Sequence, residues 1–135
     1  MTILTFGDII ESGNSVFTSI TRIDEEELTI EFKGSIRVHN PYKFLSHYIE
    51  ELEEKLKIET ISKMILDFSE LKFCNSSGFY VLMDIIEMAY MNSSGSVLIK
   101  RLKNDDWHQE TLPILLDIDE PAISNRSQFE EVVDI

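Results

Sequence analysis

Residues 64–90 constrain the fold more than any other part of the chain. They begin with an apolar run at 64–68, and a second apolar patch follows at 71–74. A polar tetrapeptide, Asn-Ser-Ser-Gly at 75–78, interrupts the pattern. Beyond it, apolar residues recur at helical spacing, namely Phe79, Leu82, Met83, Ile86, Ala89 and Tyr90. The pattern predicts a strand, a loop and a helix, with two serines where the helix begins.

The preceding residues predict a β-hairpin and a helix. Residues 16–22 and 28–33 alternate apolar and polar side chains, which is typical of strands, and an acidic turn at 24–27 joins them. We expect Gly34 to end the second strand, and residues 1–14 to form a short edge strand or an extension. Asn40-Pro41 predicts a helix start, with Asn40 as the cap. The apolar stripe of this helix consists of Leu45, Tyr48, Ile49, Leu52 and Leu56.

The strand at 63–68 contains the continuous apolar run Met64-Ile65-Leu66, followed by Phe68, rather than an alternation, which indicates a strand that is central or covered on both faces. Ser69-Glu70 reads as a turn, and residues 96–100 as a further strand. The order strand, strand, helix, strand, helix, strand predicts parallel neighbours with right-handed crossovers.

After Leu102 the pattern weakens. Asp105 or Asp106 is a candidate helix cap, and Pro113 fits best near a helix start or in a loop. Residues 127–133 are interpreted as a last short helix or a fraying end.

Composition excludes some classes of partner. The 135 residues suit one domain and carry a net charge of -13, from 25 acidic and 12 basic residues. Such a chain is a poor ligand for nucleic acid or an anionic membrane. Its acidity suits a partner with a basic patch, or serves solubility alone.

Cysteine usage and hydropathy predict a cytoplasmic protein. Cys74 is the single cysteine, which we interpret as a small buried hydrophobe in a reducing compartment. We see no apolar run long enough to span a membrane and no basic leader at the N-terminus. No cluster of residues has metal-ligand spacing, and we expect no cofactor.

The tetrapeptide Asn-Ser-Ser-Gly occurs twice, at 75–78 and 92–95. The second copy follows a helix, where Gly95 suits a left-handed turn. The first copy opens a helix, where Asn75 or Ser76 can accept a hydrogen bond from a backbone N–H. Gly78 would leave that turn bare, so that a partner can approach closely. An ordinary helix cap is the structural alternative for this copy.

The segment 66–82, L-D-F-S-E-L-K-F-C-N-S-S-G-F-Y-V-L, resembles the signature of STAS domains, the anti-sigma factor antagonist (anti-anti-sigma) family. The stretch 34–41, G-S-I-R-V-H-N-P, is similar to the loop before the first helix of that family. The resemblance is good over about residues 28–100, and residues 107–116 resemble a divergent bacterial STAS-like branch. The resemblance implies one STAS-like domain over residues 1–135. It also implies an α/β fold with a single mixed sheet of four to five strands and helices packed mainly on one side.

The resemblance also implies a bacterial signalling protein that works by partner switching and has no catalytic activity. In the family, a serine kinase, often an anti-sigma factor, phosphorylates the serine after the acidic residue, and a phosphatase reverses this. Carried onto this chain, the phosphorylated residue is Ser76, with Ser77 as the alternative. The implied partner-binding residues are Asn75, Ser76, Ser77, Gly78 and Phe79.

One position departs from the family pattern, because Asn75 stands where the family usually has Asp. Asn keeps the shape and capping ability of Asp but lacks its charge. This motivates an alternative, a STAS-like binding module that regulates a signalling enzyme, such as a nucleotide cyclase, without phosphorylation.

A third hypothesis, an enzyme with Ser76 as its nucleophile, has little support. The chain lacks a G-x-S-x-G elbow, and nothing marks His39, His47 or His108 as a base. Trp107 is interpreted as core or cover rather than a binding anchor. The acidic run 117–120 is interpreted as a solvated turn.

Overall fold

The computed structural model describes residues 2–133, in which one six-stranded sheet packs with four helices. The strands are β1 (Thr2–Glu11), β2 (Asn14–Asp24), β3 (Glu27–Ile36), β4 (Lys63–Cys74), β5 (Ser96–Leu102) and β6 (Ser127–Val132). The helices are α1 (Tyr42–Ile58), α2 (Ser76–Met91), α3 (Asp106–Leu115) and α4 (Pro121–Ser124). Strands lie in the sheet in chain order, with β1, β2 and β3 antiparallel and β3 to β6 parallel.

One face of the sheet is buried and the other is half-exposed. The inward-facing residues of β3 and β4 alternate along each strand, namely Leu28, Ile30, Phe32, Met64, Leu66 and Phe68, and all have zero exposure. Phe32 and Phe68 stack across the two strands with ring centroids 4.8 Å apart. Helices α1 and α2 bury their apolar stripes in the same core. The continuous apolar run of β4 therefore marks a central strand and not one covered on both faces.

Several expectations are confirmed. The hairpin of β2 and β3 turns at Glu25 and Glu26, both with positive φ. Four of the five stripe residues of α1 are buried, and Ile49 is partly buried against them. The strands that flank α1 and α2 are parallel, as the element order predicted.

The sheet has more strands than expected, because both termini add one. Strand β1 spans ten residues and buries Thr5 and Ile9 against α1. The last segment is β6, a parallel edge strand and not a helix. Glu131 of β6 accepts a hydrogen bond from Arg101 Nε of β5 at 2.8 Å. The Arg101 guanidinium also lies 3.8 Å from the ring centroid of Phe129 in β6.

Strand β4 does not turn at Ser69-Glu70 but continues to Cys74. Glu31 of β3 pairs with Asp67, yet Lys33 pairs with Glu70, so β4 carries an extra residue there. Asp67 Oδ1 accepts a hydrogen bond from the Ser69 N–H at 3.0 Å. The Asp67 side chain thus satisfies a backbone N–H group at the bulge of β4.

Three local expectations were wrong. Gly34 does not end β3 but lies inside it with φ +97°, where a Cβ atom would collide with the Val16 carbonyl oxygen. Helix α1 begins at Tyr42, and its N-cap is Pro41, without a side-chain cap, so Asn40 does not cap it. Pro113 lies inside α3, in its last turns, where the helix is about to end.

Tyr48 links α1 to the sheet through a buried hydroxyl. The oxygen lies 2.8 Å from Ser19 Oγ and 2.6 Å from Thr21 Oγ1, and all three side chains are at most 3% exposed.

We predict that Tyr48→Phe lowers the free energy of unfolding by about 1–3 kcal/mol, because two buried hydroxyls lose their shared partner. Urea denaturation measures this loss. Tyr80→Phe, which removes the hydroxyl of a side chain that is 63% exposed, is the control, and an equal loss in both variants would contradict the prediction.

Candidate functional site

Asn75 connects the end of β4, the end of β3 and the start of α2. Its side-chain Oδ1 accepts from the Gly78 N–H at 2.8 Å, which caps the helix as expected. Its Nδ2 donates to the Val38 carbonyl oxygen at 3.0 Å. Its backbone N–H donates to the Ile36 carbonyl at 2.9 Å, and its carbonyl accepts from the Phe79 N–H at 2.8 Å. Both ends of the amide are therefore used, and a carboxylate could make only one of the two side-chain bonds.

Ser76 and Ser77 are the first two residues of α2. Ser76 is exposed and Ser77 is half-buried. The backbone N–H groups of the first helical turn have no intrahelical partner, and the helix dipole adds partial positive charge there. The first turn carries no acidic residue. This end of α2 is thus electrostatically suited to a negative group on Ser76.

Gly78 is buried, and it does not open the turn to a partner as the sequence suggested. A Cβ atom at this position would lie 2.8 Å from the Ile36 side chain and 3.0 Å from Cys74 Cβ. The glycine is needed because α2 packs closely on the ends of β3 and β4. Gly78 therefore affects the position of Ser76 and is not itself part of the exposed surface.

A groove of about 270 Å³ lies beside Ser76, between the start of α2 and α3. Its lining residues are Cys74, Asn75, Ser76, Phe79, Tyr80, Trp107 and Thr111. Tyr80, one helical turn after Ser76, is 63% exposed. Phe79 is partly buried and anchors the helix in the core. Three of the five predicted partner-binding residues, Asn75, Ser76 and Phe79, therefore line this groove, while Ser77 and Gly78 do not.

The far wall of the groove is aromatic. Trp107 lies with its ring centroid 6.0 Å from that of Phe73, and the Arg37 guanidinium lies 4.5 Å from the Phe73 centroid. Trp107 packs partly against the core, as expected, but it also lines the groove. Burial raises the pKa of the Cys74 thiol to about 11, so the cysteine is a protonated apolar wall and not a nucleophile.

Sequence reasoning missed Tyr80, Trp107 and Thr111 as groove residues. Helical spacing from Ser76 would have found Tyr80, because positions four apart share a helix face. No sequence signal places α3 against the start of α2, since that contact depends on the tertiary fold.

The second tetrapeptide has a different environment. Asn92 Nδ2 donates to the Met88 carbonyl at 2.8 Å, and Ser93 Oγ donates to the Ala89 carbonyl at 2.7 Å. Gly95 has φ +82°, as its turn position predicted. These side chains bind the carboxyl end of α2, where the helix dipole places partial negative charge. The two copies have identical sequences but lie at ends of α2 with opposite partial charge.

Neither His108 nor His47 is hydrogen-bonded to Ser76. His108 is buried, its Nδ1 accepts from the Leu102 N–H at 3.0 Å, and its Nε2 N–H therefore donates to the Leu71 carbonyl at 2.7 Å. His47 lies near Glu51 on the exposed side of α1. The acidic run 117–120 forms a turn after α3, and three of its four residues are exposed.

Within residues 2–133, no three His, Cys, Asp or Glu side chains are grouped in a way that could hold a metal ion. In the same part of the chain, no helix combines the length and apolar character that crossing a membrane requires. A scan against protein-family models gave no match, and a search of curated proteins found no significant relative.

The two-ended use of the Asn75 amide leads to a stability prediction. We predict that Asn75→Asp lowers the free energy of unfolding by about 1–2 kcal/mol at neutral pH, because the carboxylate cannot donate to Val38. The gain of an anion at the helix N-terminus, about 0.3–1 kcal/mol, is smaller. Chemical denaturation measures the difference. Asn40→Asp, at an exposed position, is the matched control, and equal stability of both variants would refute the role of the Val38 bond.

Close packing at Gly78 leads to a second prediction. Gly78→Ala should destabilise the protein by about 1–3 kcal/mol through overpacking, although Ala is the better helix former by about 1 kcal/mol. Ser77→Ala, one position earlier, should change stability by less than about 0.5 kcal/mol. A thermal or urea unfolding series compares them, and a stabilised Gly78→Ala protein would show that the helix start does not pack as described.

Proposed function

We propose that this chain is a STAS-like, non-enzymatic bacterial signalling regulator that binds a protein partner of the anti-sigma factor or serine kinase type. Phosphorylation of Ser76 switches the complex, and a phosphatase reverses the modification. The observation that carries this proposal is the position of Ser76, exposed at the positive end of α2 and on the rim of a groove with aromatic side chains in its lining.

The fold itself should tolerate a phosphate at Ser76. The modification adds about -1.5 to -2 charges near free N–H groups at a helix N-terminus, where an anion is favourable. Asn75 adds no negative charge beside it. The modified and unmodified proteins should therefore share one structure and differ at the surface of the groove.

A partner docked over the groove should not tolerate the phosphate. An apolar side chain of the partner can fill the space between Tyr80 and Trp107, and this closes the interface over Ser76. A phosphate there would be desolvated against an apolar side chain of the partner, which costs several kcal/mol. A loss of about 3 kcal/mol lowers affinity more than a hundredfold.

A second candidate is a STAS-like module that regulates a signalling enzyme, such as a nucleotide cyclase, without phosphorylation. The observation that favours it is the amide of Asn75. Asn75 stands at the position of the Asp in the STAS family. Both polar atoms of its side chain form internal hydrogen bonds, one with Gly78 and one with Val38. A kinase that reads the carboxylate would find neither the charge nor a free side chain.

The non-enzymatic part of the proposal rests on the surroundings of Ser76. Both ring nitrogens of His108 bind backbone groups, which leaves this ring unable to act as a general base.

The acidic surface, with a net charge of -13, favours a partner whose contact patch is basic.

The phosphate switch predicts a specific loss of binding. Partners captured from native-cell extract by the wild-type chain are identified, purified and titrated by calorimetry against wild type and Ser76→Asp. We expect Ser76→Asp to bind at least about tenfold more weakly, because a charged group is desolvated where the interface closes on apolar side chains.

The duplicated tetrapeptide supplies the control. Ser94→Asp adds the same charge at an exposed serine of the second copy and should bind like wild type. Equal affinity of Ser76→Asp and wild type would remove the switch and favour the module without phosphorylation. Equal weakening by both variants would show that only total charge matters.

A further inference from the structure

A second groove lies at the carboxyl end of α2, between that helix and the segment from α3 to α4. Its volume is about 260 Å³. Its apolar lining residues are Met83, Ile86, Tyr90, Met91, Leu115, Leu116 and Ile123. Met91, the last residue of α2, is 77% exposed. An exposed methionine beside an apolar groove is typical of surfaces that adapt to a protein ligand.

Carboxylates surround this groove. Its remaining lining residues are Glu87, Asp117 and Glu120, all exposed, and its lining includes no Lys or Arg. The last turn of α2 also carries no basic residue, so its dipole adds partial negative charge.

Among the residues that the structure describes, Glu87, Asp117 and Glu120 form no salt bridge, and the cation at the carboxyl end of α2, Arg126, is already used. Arg126 donates from Nε to the Gly95 carbonyl at 2.8 Å, from Nη1 to the Tyr90 carbonyl at 3.2 Å and from Nη2 to Ser93 Oγ at 3.0 Å. These bonds hold its guanidinium at the carboxyl end of α2. The carboxylates of the rim are therefore open to charges from another molecule.

We infer that this groove docks a cationic amphipathic helix of a protein partner. The apolar face of that helix enters between Met91 and Ile123, and its Lys or Arg residues meet Glu87, Asp117 and Glu120. Helix-in-groove binding needs these two features, an apolar channel and a rim of complementary charge. Polyanions and anionic membranes are repelled by the same rim.

The docking site is separate from the proposed switch. Glu87, the rim carboxylate on α2, lies eleven positions after Ser76, which corresponds to about 16 Å along the helix axis. At physiological ionic strength the Debye length is about 8 Å, so a charge on Ser76 hardly reaches the groove. The inference does not depend on the proposed function, and the site could hold a partner in both phosphorylation states.

The test uses a defined probe. A synthetic, fluorescently labelled helix with Leu on one face and Lys on the other is titrated into the full chain, and anisotropy is recorded. A peptide of the same composition, scrambled to remove the apolar face, is the control. We expect the amphipathic peptide to bind more tightly than the scrambled one and to weaken with added salt. Equal binding of both peptides, or no binding, would overturn the inference.

Charge variants locate the binding site. The double variant Glu87→Gln/Glu120→Gln should lower affinity by roughly threefold to tenfold, as expected for two rim ion pairs. The matched control, Glu50→Gln/Glu54→Gln, makes the same charge change on the exposed face of α1 and should leave affinity within about twofold, because screening limits distant charges. Ser76→Asp should also leave it within about twofold for the same reason. Equal weakening by the two double variants would overturn the inference.

Methionine methyl signals in NMR spectra identify the groove directly. The inference predicts that peptide binding shifts the signals of Met83 and Met91 and leaves buried Met64 unchanged. Met88 lines a different groove, which lies between α1 and α2. A shift of Met88 without Met83 would place the peptide there and contradict the inference.

Discussion

The hydrogen bonds of Asn75 determine how the rest of the candidate site is arranged. One residue binds the ends of β3 and β4 to the first turn of α2, through two side-chain and two backbone bonds. Gly78 then lets the helix pack directly on Ile36 and Cys74. Because these contacts fix the first turn, Ser76 is placed at the surface, beside a groove that α3 completes.

The two copies of Asn-Ser-Ser-Gly show that position gives the motif its chemistry. At the amino end of α2, the tetrapeptide caps free N–H groups and exposes a hydroxyl near positive partial charge. At the carboxyl end, Asn92 and Ser93 donate to carbonyls, near negative partial charge. A phosphate is electrostatically favourable only at the first end. The same polarity of α2 leaves the groove near Met91 surrounded by negative charge, which suits a cationic partner.

The central elements could be predicted from sequence because their patterns are local. The mixed α/β class, the hairpin, the two long helices and the Asn75 cap all follow from periodicity and cap chemistry. Of the two edge strands, β1 was one of the two alternatives expected for residues 1–14. Strand β6 could not be predicted, because it depends on pairing with β5, whose Arg101 binds Glu131 and lies over Phe129. The role of Gly78 and the place of Trp107 in the groove also depend on contacts between distant segments. The assignment of Ser76 from the STAS resemblance stays a prediction, and the resemblance did not indicate the surface around this serine.

The central claim is that Ser76 carries a regulatory phosphate. The most direct test is intact-mass spectrometry of the protein isolated from its native cells with phosphatases inhibited. The account predicts a species heavier by one phosphate, with fragments that map the group to Ser76, and its loss in Ser76→Ala. The alternative at Ser77 is distinguished by the same fragments. A protein that carries no phosphate under any growth condition, or carries it only outside the first turn of α2, would contradict the account.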